Sequence, residues 1–451
     1  MDGKLQRVAS TTAAPLLAHP VRVVVDREDV HDTHYVIHSG EQLRCVSWNG
    51  DEQWALPLQG NVASAISAAD IDNDGRAELV AATPDKRLRV LSADENGTLQ
   101  QQHDFQHLIG WHCHHPVMFD LAGDGRLCLL AAGSDDQGQL IIRAHLPDGS
   151  TLWESPLNVA VEHLRAVILN AGNFLAKDHA GVAVSMTDAR LVHEGTFMLD
   201  GQNGEVLWFK GLHRDGDITM PYRPNGIPIA YDLDRDGVEE IGMDMLSYMA
   251  FLQAIDGEFA MLRPTSNIRT EGAVFGGKLY NTYCPLWKQA SDPKPHWFVT
   301  AGFGPFGLMH PDPSSGVWRE DLDYDVPMNV ALVDVDGDGA LEAGYSARND
   351  TKFVCRDVWT GNVEWTLELP APAYGATITA DFDGNGRGEF FCGRYCIGVN
   401  DEGAGEVRWQ SPVHITWPVI ADFDGDGDGE IAGGVAGRIV VLNAAQDANK
   451  Q

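Results

Sequence analysis

Basic residues are scarce in this sequence. Lysine and arginine number 32 against 65 aspartate and glutamate residues, which gives a formal net charge of −33. Nucleic-acid binding depends on lysine and arginine contacts to phosphates, and no basic stripe offsets the acidic residues, so we expect no nucleic-acid partner.

Long apolar runs are missing as well. None reaches the roughly 18 residues of a membrane-spanning helix, so we expect no membrane insertion.

A secretory signal and a disulfide framework are also missing from the pattern. Residues 1–20 have no uninterrupted apolar stretch after their basic residues, so they make a poor secretory signal, and we expect them to be an N-terminal leader ahead of the folded domain. The location would be cytoplasmic if Met1 is the native start, and secreted or periplasmic if a signal peptide has been removed. The seven cysteines are odd in number and scattered. Cys392 and Cys396 are expected to be two buried thiols rather than a bridge.

Glycine, by contrast, is abundant at 48 residues, and helix-favouring runs are few, which indicates a mostly β chain. One acidic motif recurs, with acids at positions 1, 3, 5 and 9 and glycine at position 6. The five near-complete copies are DIDNDGRAE from residue 70, DLDRDGVEE from 232, DVDGDGALE from 334, DFDGNGRGE from 381 and DFDGDGDGE from 422. The copy DLAGDGRLC at 120–128 has lost the acids at positions 3 and 9, and a worn copy begins at Asn170.

Hard oxygen donors around a tight turn are what Ca²⁺ requires of a loop. The first positions resemble an EF-hand, but position 12 is Ala81, Met243 or Tyr345, and the residues that follow are β-like, so each loop should join two strands. We expect several structural calcium sites and no organic cofactor. The expected ligands are Asp70, Asp72, Asp74 and Glu78; Asp232, Asp234, Asp236 and Glu240; Asp334, Asp336, Asp338 and Glu342; Asp381, Asp383, Asn385 and Glu389; and Asp422, Asp424, Asp426 and Glu430.

Each loop stands between two short apolar runs, and a third run and a tryptophan- or phenylalanine-containing fourth run follow. Units of four short strands, about 50 residues long, are typical of β-propeller blades. We therefore predict an all-β fold, a single β-propeller over 21–447 with four-stranded antiparallel blades. One blade without a metal loop should lie at 270–322, which gives eight blades, or seven if the closure differs. Residues 21–56 should close the ring against the C-terminal unit.

These repeats resemble the FG-GAP or VCBS repeats of integrin α-subunit propellers and of propeller-fold polysaccharide lyases. The lyases act on rhamnogalacturonan, ulvan and rhamnosyl-glucuronate linkages. The resemblance covers about residues 60–440 and implies a calcium-binding propeller. It implies no single activity, because the family contains both adhesion modules and enzymes.

The residues that precede each first strand should lie at the opposite end of that strand from the calcium loop, at the rim of the central channel. This set is rich in histidine, arginine, tyrosine and tryptophan, which indicates a functional site on a rigid scaffold. Counting back five residues from each motif gives Ala65, His115, Arg165, Ile227, Asn329, Ala376 and Trp417. Slightly further out lie Trp111, His112, His114, His163, Tyr222, Arg223, Asn225, Tyr374 and His414.

The residue types suit β-elimination on an acidic polysaccharide or oligosaccharide next to a uronic acid. The resemblance to lyases places histidine, tyrosine and arginine in such a site. His115 or His114 would be the base, and Tyr222 or a second histidine the acid. Arg165 and Arg223 would bind the uronate carboxylate. The remaining expected substrate contacts are Asn225, Asn329, Tyr374, Trp111, Trp417 and His414.

Other interpretations of the same residues stay open. His112, His114 and His115 could form a zinc site with Cys113, although neighbouring residues of an extended chain point in opposite directions. Arg165 could pair with Glu162. The protein as a whole could be a non-catalytic propeller of integrin-like type that binds carbohydrate or protein. A hydrolase fits less well, because the set contains no pair of carboxylates.

Overall fold

The computed structural model is built almost entirely of antiparallel β-sheets. Eight sheets each contain four strands that follow one another in the chain. The only helix among the described residues is a short 3₁₀ turn at Val161–His163. This architecture confirms the predicted all-β class and is consistent with an eight-bladed β-propeller. No helix in the described part of the chain is long and apolar enough to cross a membrane.

The structure describes residues 6–7, 21–24, 33–39, 42–47, 52–57, 66–74, 76–83, 86–93, 99–107, 116–188, 193–211, 229–245, 248–252, 256, 259–264, 268–270, 273–275, 281–301, 306–311, 316–320, 330–346, 350–373, 377–415, 418–421, 430–435 and 438–443.

The eight sheets are numbered along the chain. The first four contain the strands Val21–Val24, Thr33–Ser39, Gln42–Ser47 and Glu52–Pro57 (sheet 1); Ile66–Ala69, Glu78–Thr83, Arg87–Ala93 and Leu99–Gln106 (sheet 2); Val117–Phe119, Cys128–Ser134, Gln139–His145 and Thr151–Ala160 (sheet 3); and Leu164–Ala176, His179–Asp188, His193–Asp200 and Val206–Gly211 (sheet 4).

The other four contain Ile229–Tyr231, Glu240–Met245, Tyr248–Leu252 and Phe259–Pro264 (sheet 5); Asn281–Leu286, His296–Ala301, Phe306–Met309 and Gly316–Glu320 (sheet 6); Ala331–Val333, Glu342–Ser346, Lys352–Asp357 and Val363–Glu368 (sheet 7); and Thr377–Ala380, Glu389–Cys392, Tyr395–Val399 and Gly405–Gln410 (sheet 8). A two-stranded ribbon, Ile268–Thr270 with Ala273–Phe275, precedes sheet 6.

A further four-stranded sheet, here called the terminal sheet, joins the two ends of the chain. It contains Val419–Ala421, Glu430–Val435 and Arg438–Asn443, and its fourth strand is Gln6–Arg7. The predicted closing strands at 21–56 are therefore wrong, because those residues pair with one another in sheet 1. Short connections between these strands favour local hairpins. The strand Gln6–Arg7 lies inside the segment expected to be a leader.

The chain divides into two compact units. One comprises 1–57, 269–277 and 297–451, and it contains sheets 1, 7 and 8 and the terminal sheet. The other comprises 58–268 and 278–296, and it contains sheets 2 to 5.

Two further expectations concern single segments. A loop-free blade was expected at 270–322, and sheet 6 occupies that interval. The worn motif from Asn170 is not a loop, because Leu164–Ala176 runs through it as one strand with a register irregularity between Gly172 and Ala176. Its sequence lacks the early aspartates that would draw backbone N–H groups into a turn.

Strands that are covered on both faces consist of buried residues, whereas in strands that meet solvent on one face exposed and buried residues alternate. In sheet 3 the strand Cys128–Ser134 is buried at every position but the last, whereas the outermost strand Thr151–Ala160 alternates between exposed and buried residues over its first half. These are the patterns of strands covered on both faces and on one face, respectively. Within the second unit, sheets 3 and 4 share one core, with Leu130, Ile142 and Val182 at its centre.

The cysteines follow the same burial rule. Cys392 and Cys396 are buried free thiols, as expected from the sequence. Burial raises the pKa of Cys392 to about 11, so this thiol stays protonated and acts as a small apolar side chain.

A tryptophan on the outermost strand links one sheet to the next. Trp153 of sheet 3 donates its indole N–H to the carbonyl of Gly201, in a turn of sheet 4, at 2.7 Å. Trp318 of sheet 6 makes the same bond to the carbonyl of Val358, in a turn of sheet 7, at 2.7 Å. Because an indole N–H only donates, a buried tryptophan needs such an acceptor, and the turn of the next sheet supplies it.

Glycine makes room for these rings. A methyl group at Gly204 would lie 2.6 Å from the Trp153 ring, and one at Gly361 would lie 2.4 Å from the Trp318 ring. Gly361 also has a φ of +72°, which side chains rarely adopt. This explains why tryptophan and a turn glycine recur together in the sequence.

We expect Gly361→Ala to destabilise the protein more than Gly403→Ala. Both glycines have positive φ, +72° and +78°, but only a methyl group at Gly361 meets a neighbouring ring. Gly403→Ala should therefore cost only the backbone strain, about 1 kcal/mol. Gly361→Ala should add the clash with Trp318. Urea unfolding of both variants measures the difference, and equal losses would contradict the proposed packing.

Candidate metal centres at the strand-connecting loops

Four of the five complete acidic loops lie within the described residues. Each connects the first strand of a sheet to the second, as expected from the sequence, at Asp70–Glu78 in sheet 2, Asp232–Glu240 in sheet 5, Asp334–Glu342 in sheet 7 and Asp381–Glu389 in sheet 8. Of the fifth loop, Asp422, Asp424 and Asp426 lie outside the described residues. Glu430 is buried at the start of its strand.

The glutamate at position 9 is the most constrained side chain of each loop. It is the first residue of the second strand, it is buried, and one carboxylate oxygen accepts the backbone N–H of position 2. The four bonds run from Ile71 to Glu78 at 2.9 Å, Leu233 to Glu240 at 2.8 Å, Val335 to Glu342 at 2.9 Å and Phe382 to Glu389 at 2.8 Å.

The aspartate at position 1 shapes the turn. In sheet 7 the N–H of Gly339 donates to Asp334 at 3.0 Å, and in sheet 8 the N–H of Gly386 donates to Asp381 at 2.8 Å. Gly339 and Gly386 have φ values of +88° and +86°, so position 6 requires glycine. The backbone therefore draws the carboxylates inward before any ion is bound.

In all four described loops, carboxylates from different positions converge. One oxygen from each member of a group lies within 4.8 Å of those of the others. The groups are Asp70, Asp72 and Glu78; Asp232, Asp234 and Asp236; Asp334, Asp336 and Glu342; Asp381, Asp383 and Glu389; and, in sheet 7, a second group formed by Glu342, Asp357 and Glu364.

The donor set fits a hard divalent cation. All these donors are oxygens, without nitrogen or sulfur, which suits Ca²⁺ or Mg²⁺ and not zinc. Several carboxylates held this close repel one another unless a cation or a proton offsets their charge. The sequence-predicted ligands at positions 1, 3 and 9 are thus brought together in sheets 2, 7 and 8, whereas in sheet 5 the group uses position 5 in place of position 9.

The pKa values of the buried glutamates are raised mainly by burial and further by the neighbouring carboxylates. Burial, in the first place, raises the pKa of Glu78, Glu240 and Glu389 to about 7 and that of Glu342 to about 8. Nearby carboxylates raise these pKa values further, and the backbone N–H bonds partly oppose the shift. Without a cation, these groups therefore hold their protons near neutral pH.

The incomplete loop of sheet 3 has the same turn but lacks the carboxylates at positions 3 and 9. Asp120 still accepts the N–H of Gly125 at 2.8 Å, but Cys128 stands at position 9 and is buried. Asp124 pairs with Arg126 at 2.6 Å instead of facing other carboxylates. Among the described residues this loop forms no group of converging carboxylates.

Most of the predicted rim residues lie outside the described residues, and their roles stay predictions. These are Ala65, Trp111, His112, His114, His115, Tyr222, Arg223, Asn225, Ile227, Asn329, Tyr374, Ala376 and Trp417. The zinc alternative with Cys113 falls outside them too.

Three rim candidates can be placed in part. Arg165 is the second residue of the first strand of sheet 4, Leu164–Ala176, rather than a residue that precedes it. His163 is exposed and its Nε2 lies 3.5 Å from Glu162, the acid considered as a partner for Arg165. His414 is half-buried in the connection between sheet 8 and the terminal sheet.

Three charged residues next to the loops were missed by the sequence reasoning. Asp357 and Glu364 join Glu342 in sheet 7, and Arg408 pairs with Asp383 in sheet 8 at 2.9 Å. They lie more than 20 residues from the start of the motif, so no local spacing reveals them. Only the pairing of the outer strands places them beside the loops.

Comparison with known proteins supports the repeat and the fold. A family model described as FG-GAP-like repeat matches residues 70–131, which include the loops of sheets 2 and 3. No curated protein matches this chain.

Among solved structures, the crystal structure of Saccharomyces cerevisiae Sqt1 aligns with a TM-score of 0.51 at 9% identity, covering 99% of this chain and 100% of that one. The quinohemoprotein alcohol dehydrogenase from Comamonas testosteroni aligns with a TM-score of 0.46 at 12% identity, covering 100% and 78%. BamB from Moraxella catarrhalis gives 0.40 at 13% identity, covering 84% and 98%. At these identities the likeness concerns the fold, and no chemistry is carried over from it.

We expect the metal-free protein to lose stability as the pH rises from about 5 to 8. A glutamate whose pKa is raised from 4.5 to about 7 by folding stabilises the fold while it is protonated and stops doing so as the pH passes that value. Glu389→Gln keeps an oxygen for the Phe382 N–H and cannot ionise. Its melting temperature in chelator should therefore fall less between pH 5.5 and 8 than that of the wild type.

The exposed turn residue Glu402 provides the control for this prediction. Glu402→Gln removes the same charge and should keep the wild-type pH profile. Parallel profiles for Glu389→Gln and the wild type would contradict the assigned environment of the glutamate.

Proposed function

We propose that this protein is a calcium-dependent β-propeller that cleaves a uronic-acid-containing polysaccharide by β-elimination. The calcium part is supported by one repeated observation, the buried glutamate that faces two loop aspartates in sheets 2, 7 and 8. A buried carboxylate among other carboxylates requires a counter-charge. Bound Ca²⁺ supplies two positive charges and accepts only oxygen ligands.

The residues of the chain prepare each site. The N–H of position 2 orients the glutamate, and the N–H of position 6 orients the first aspartate, so the ligands are arranged before the ion arrives. The cation then replaces the protons that the buried glutamates hold near neutral pH. Because the loops connect the first two strands of a sheet, ion binding stabilises the same elements that form the core.

The enzymatic part is supported by residue chemistry at the other end of the first strands. β-Elimination needs a positive group to offset the uronate carboxylate, a base for the C5 proton and an acid for the leaving oxygen. In the sequence, His114 and His115 precede the first strand of sheet 3, Tyr222 and Arg223 precede that of sheet 5, and Arg165 is the second residue of the first strand of sheet 4. In such a reaction the base takes the proton, the C4–O bond breaks, and the acid protonates the departing sugar.

The second candidate function is a non-catalytic propeller of integrin-like type that binds carbohydrate or protein through the same residues. The FG-GAP-like match at 70–131 is equally compatible with it, since the repeat specifies the loops and not an activity. The two candidates differ in one measurable property, the formation of an unsaturated sugar product.

We expect calcium to raise the melting temperature and a chelator to lower it. Asp334→Asn should reduce the gain from calcium, because it removes a ligand charge while leaving an oxygen for the Gly339 N–H. The matched control is Asp120→Asn, in the loop that has lost its other acids, and it should leave the calcium gain unchanged. Thermal unfolding with and without calcium measures these effects. A melting temperature that is insensitive to both calcium and chelator would refute the calcium sites.

For the enzymatic proposal, we expect the ultraviolet absorbance of an unsaturated uronate to appear when the calcium-loaded protein meets acidic polysaccharides. His115→Ala and Arg165→Ala should each remove most of the rate, roughly a hundredfold or more for a general base. Lys352→Ala, at an exposed residue of sheet 7, serves as the control. Binding to a polysaccharide without any product would favour the non-catalytic alternative.

A further inference from the structure

One structural irregularity recurs at the same place in all eight sheets. Between the third and fourth strands, the fourth strand carries one extra residue, a β-bulge, next to the residue that is usually tryptophan. The bulge residues, in sheet order, are Gln53, Gln102, Leu152, Leu207, Ala260, Val317, Glu364 and Arg408.

The bulge residue differs between sheets. Sheets 1, 3, 4 and 6 have no complete acidic loop, and their bulge residues are Gln53, Leu152, Leu207 and Val317. Sheets 2 and 5 have complete loops, and their bulge residues are the uncharged Gln102 and Ala260. Leu207 and Val317 are exposed at 42% and 36%, although they are apolar. Sheets 7 and 8 have complete loops, and their bulge residues are Glu364 and Arg408. A charged residue at this position therefore accompanies a charged loop in these two sheets.

In sheet 7 the bulge adds negative charge. Glu342 pairs directly across from Asp357 on the third strand, and oxygens of Glu342, Asp357 and Glu364 lie within 4.8 Å of one another. Glu342 also belongs to the group with Asp334 and Asp336. Sheet 7 thus contains two groups of three carboxylates that share the buried Glu342, which makes five carboxylates in all.

In sheet 8 neither of the two equivalent positions carries a negative charge. The position of Asp357 is occupied by Gly398, and that of Glu364 by Arg408. A methyl group at Gly398 would lie 3.1 Å from Glu389 and 3.3 Å from the Arg408 side chain, so the arginine stem crosses the space left by the missing side chain.

The guanidinium reaches a ligand of the loop. Its Nη2 lies 2.9 Å from an oxygen of Asp383, at position 3, and its Nη1 lies 2.6 Å from Glu406. About a third of the arginine side chain and a fifth of that of Asp383 are exposed. A cation in this loop must share Asp383 with a positive charge that is already present.

We infer that the bulge residue sets the cation affinity of the loop in its own sheet: Glu364 strengthens the loop of sheet 7, and Arg408 weakens that of sheet 8. This inference rests on the proposed calcium sites. Calcium affinity rises with the number of negatively charged ligands around a loop. A guanidinium bound to a ligand opposes the ion both by repulsion and by competing for the same oxygen.

The consequence is a graded response to calcium along one chain. The loop of sheet 7 fills at low calcium concentration, whereas that of sheet 8 fills only when calcium is more abundant. At low calcium, Arg408 neutralises part of the charge of Asp383, so sheet 8 keeps its structure without the ion. One loop thereby acts as a permanent structural site and the other as a site that responds to concentration.

The test is a calorimetric titration of the full chain with calcium alone, at fixed ionic strength. Arg408→Gln should tighten the weakest class of sites about tenfold, the equivalent of one charge-assisted hydrogen bond. Glu364→Gln should weaken the tightest class by a similar factor. Arg408→Leu should also tighten calcium binding. Leucine is compatible with this bulge, since sheets 3 and 4 carry leucine at the same position.

Each change in calcium affinity is assigned to its loop with a double variant that also lacks one ligand of that loop. The gain from Arg408→Gln should vanish when Asp381→Asn is present, and the loss from Glu364→Gln should vanish when Asp334→Asn is present. Lys352→Gln removes a positive charge from an exposed position of sheet 7 and should change neither class. Circular dichroism of each calcium-free variant verifies that it is folded.

The outcomes separate this inference from the proposed function. If the wild type binds no calcium, the proposed calcium sites are wrong and the inference falls with them. If the wild type binds calcium but Arg408→Gln and Arg408→Leu keep its affinities, only the inference is overturned. It is also overturned if the tightening by Arg408→Gln persists in the Asp381→Asn background or is reproduced by Lys352→Gln.

Discussion

The bond from a backbone N–H to a buried glutamate is the constraint on which the rest of the loop structure depends. In sheet 8 the Phe382 N–H donates to Glu389, which ties the end of the first strand to the start of the second. The bond satisfies a backbone donor where the chain leaves the sheet, and it also places a carboxylate beneath the turn. The loop aspartates then lie close to this carboxylate, and the negative charges repel one another. A loop with converging carboxylates follows from the way the strand ends.

The same loops also connect neighbouring sheets. The N–H of Gly388, in the loop of sheet 8, donates to the carbonyl of Asp334, in the loop of sheet 7, at 2.9 Å. A methyl group at Gly388 would lie 1.9 Å from Val333, so the close approach requires glycine. The loops thus join adjacent sheets beside the first strands, whereas the tryptophans join them beside the fourth strands.

The sequence predicts the repeating parts of this structure well and the unique parts poorly. Loops, strand order and the loop-free sheet 6 follow from spacing, because every copy repeats the same turn chemistry. The pairing of Gln6–Arg7 with the terminal sheet does not, since two residues carry no periodic signal. Nor does the contact between Arg408 and Asp383. It depends on a bulge that shifts the register by one residue, and such a shift decides which side chain faces the loop.

The sheets without complete loops show that charge and packing change together. In sheet 3, Cys128 stands where Glu342 stands in sheet 7, and Leu152 stands where Glu364 does. In sheet 3, Ala122 stands at position 3 and Asp124 pairs with Arg126, so a glutamate at position 9 would be a buried charge without a cation to offset it. Once the charge is gone, an apolar residue at the bulge costs little. In sheets 3 and 7, position 9 and the bulge therefore match each other: both are apolar in sheet 3 and both are acidic in sheet 7.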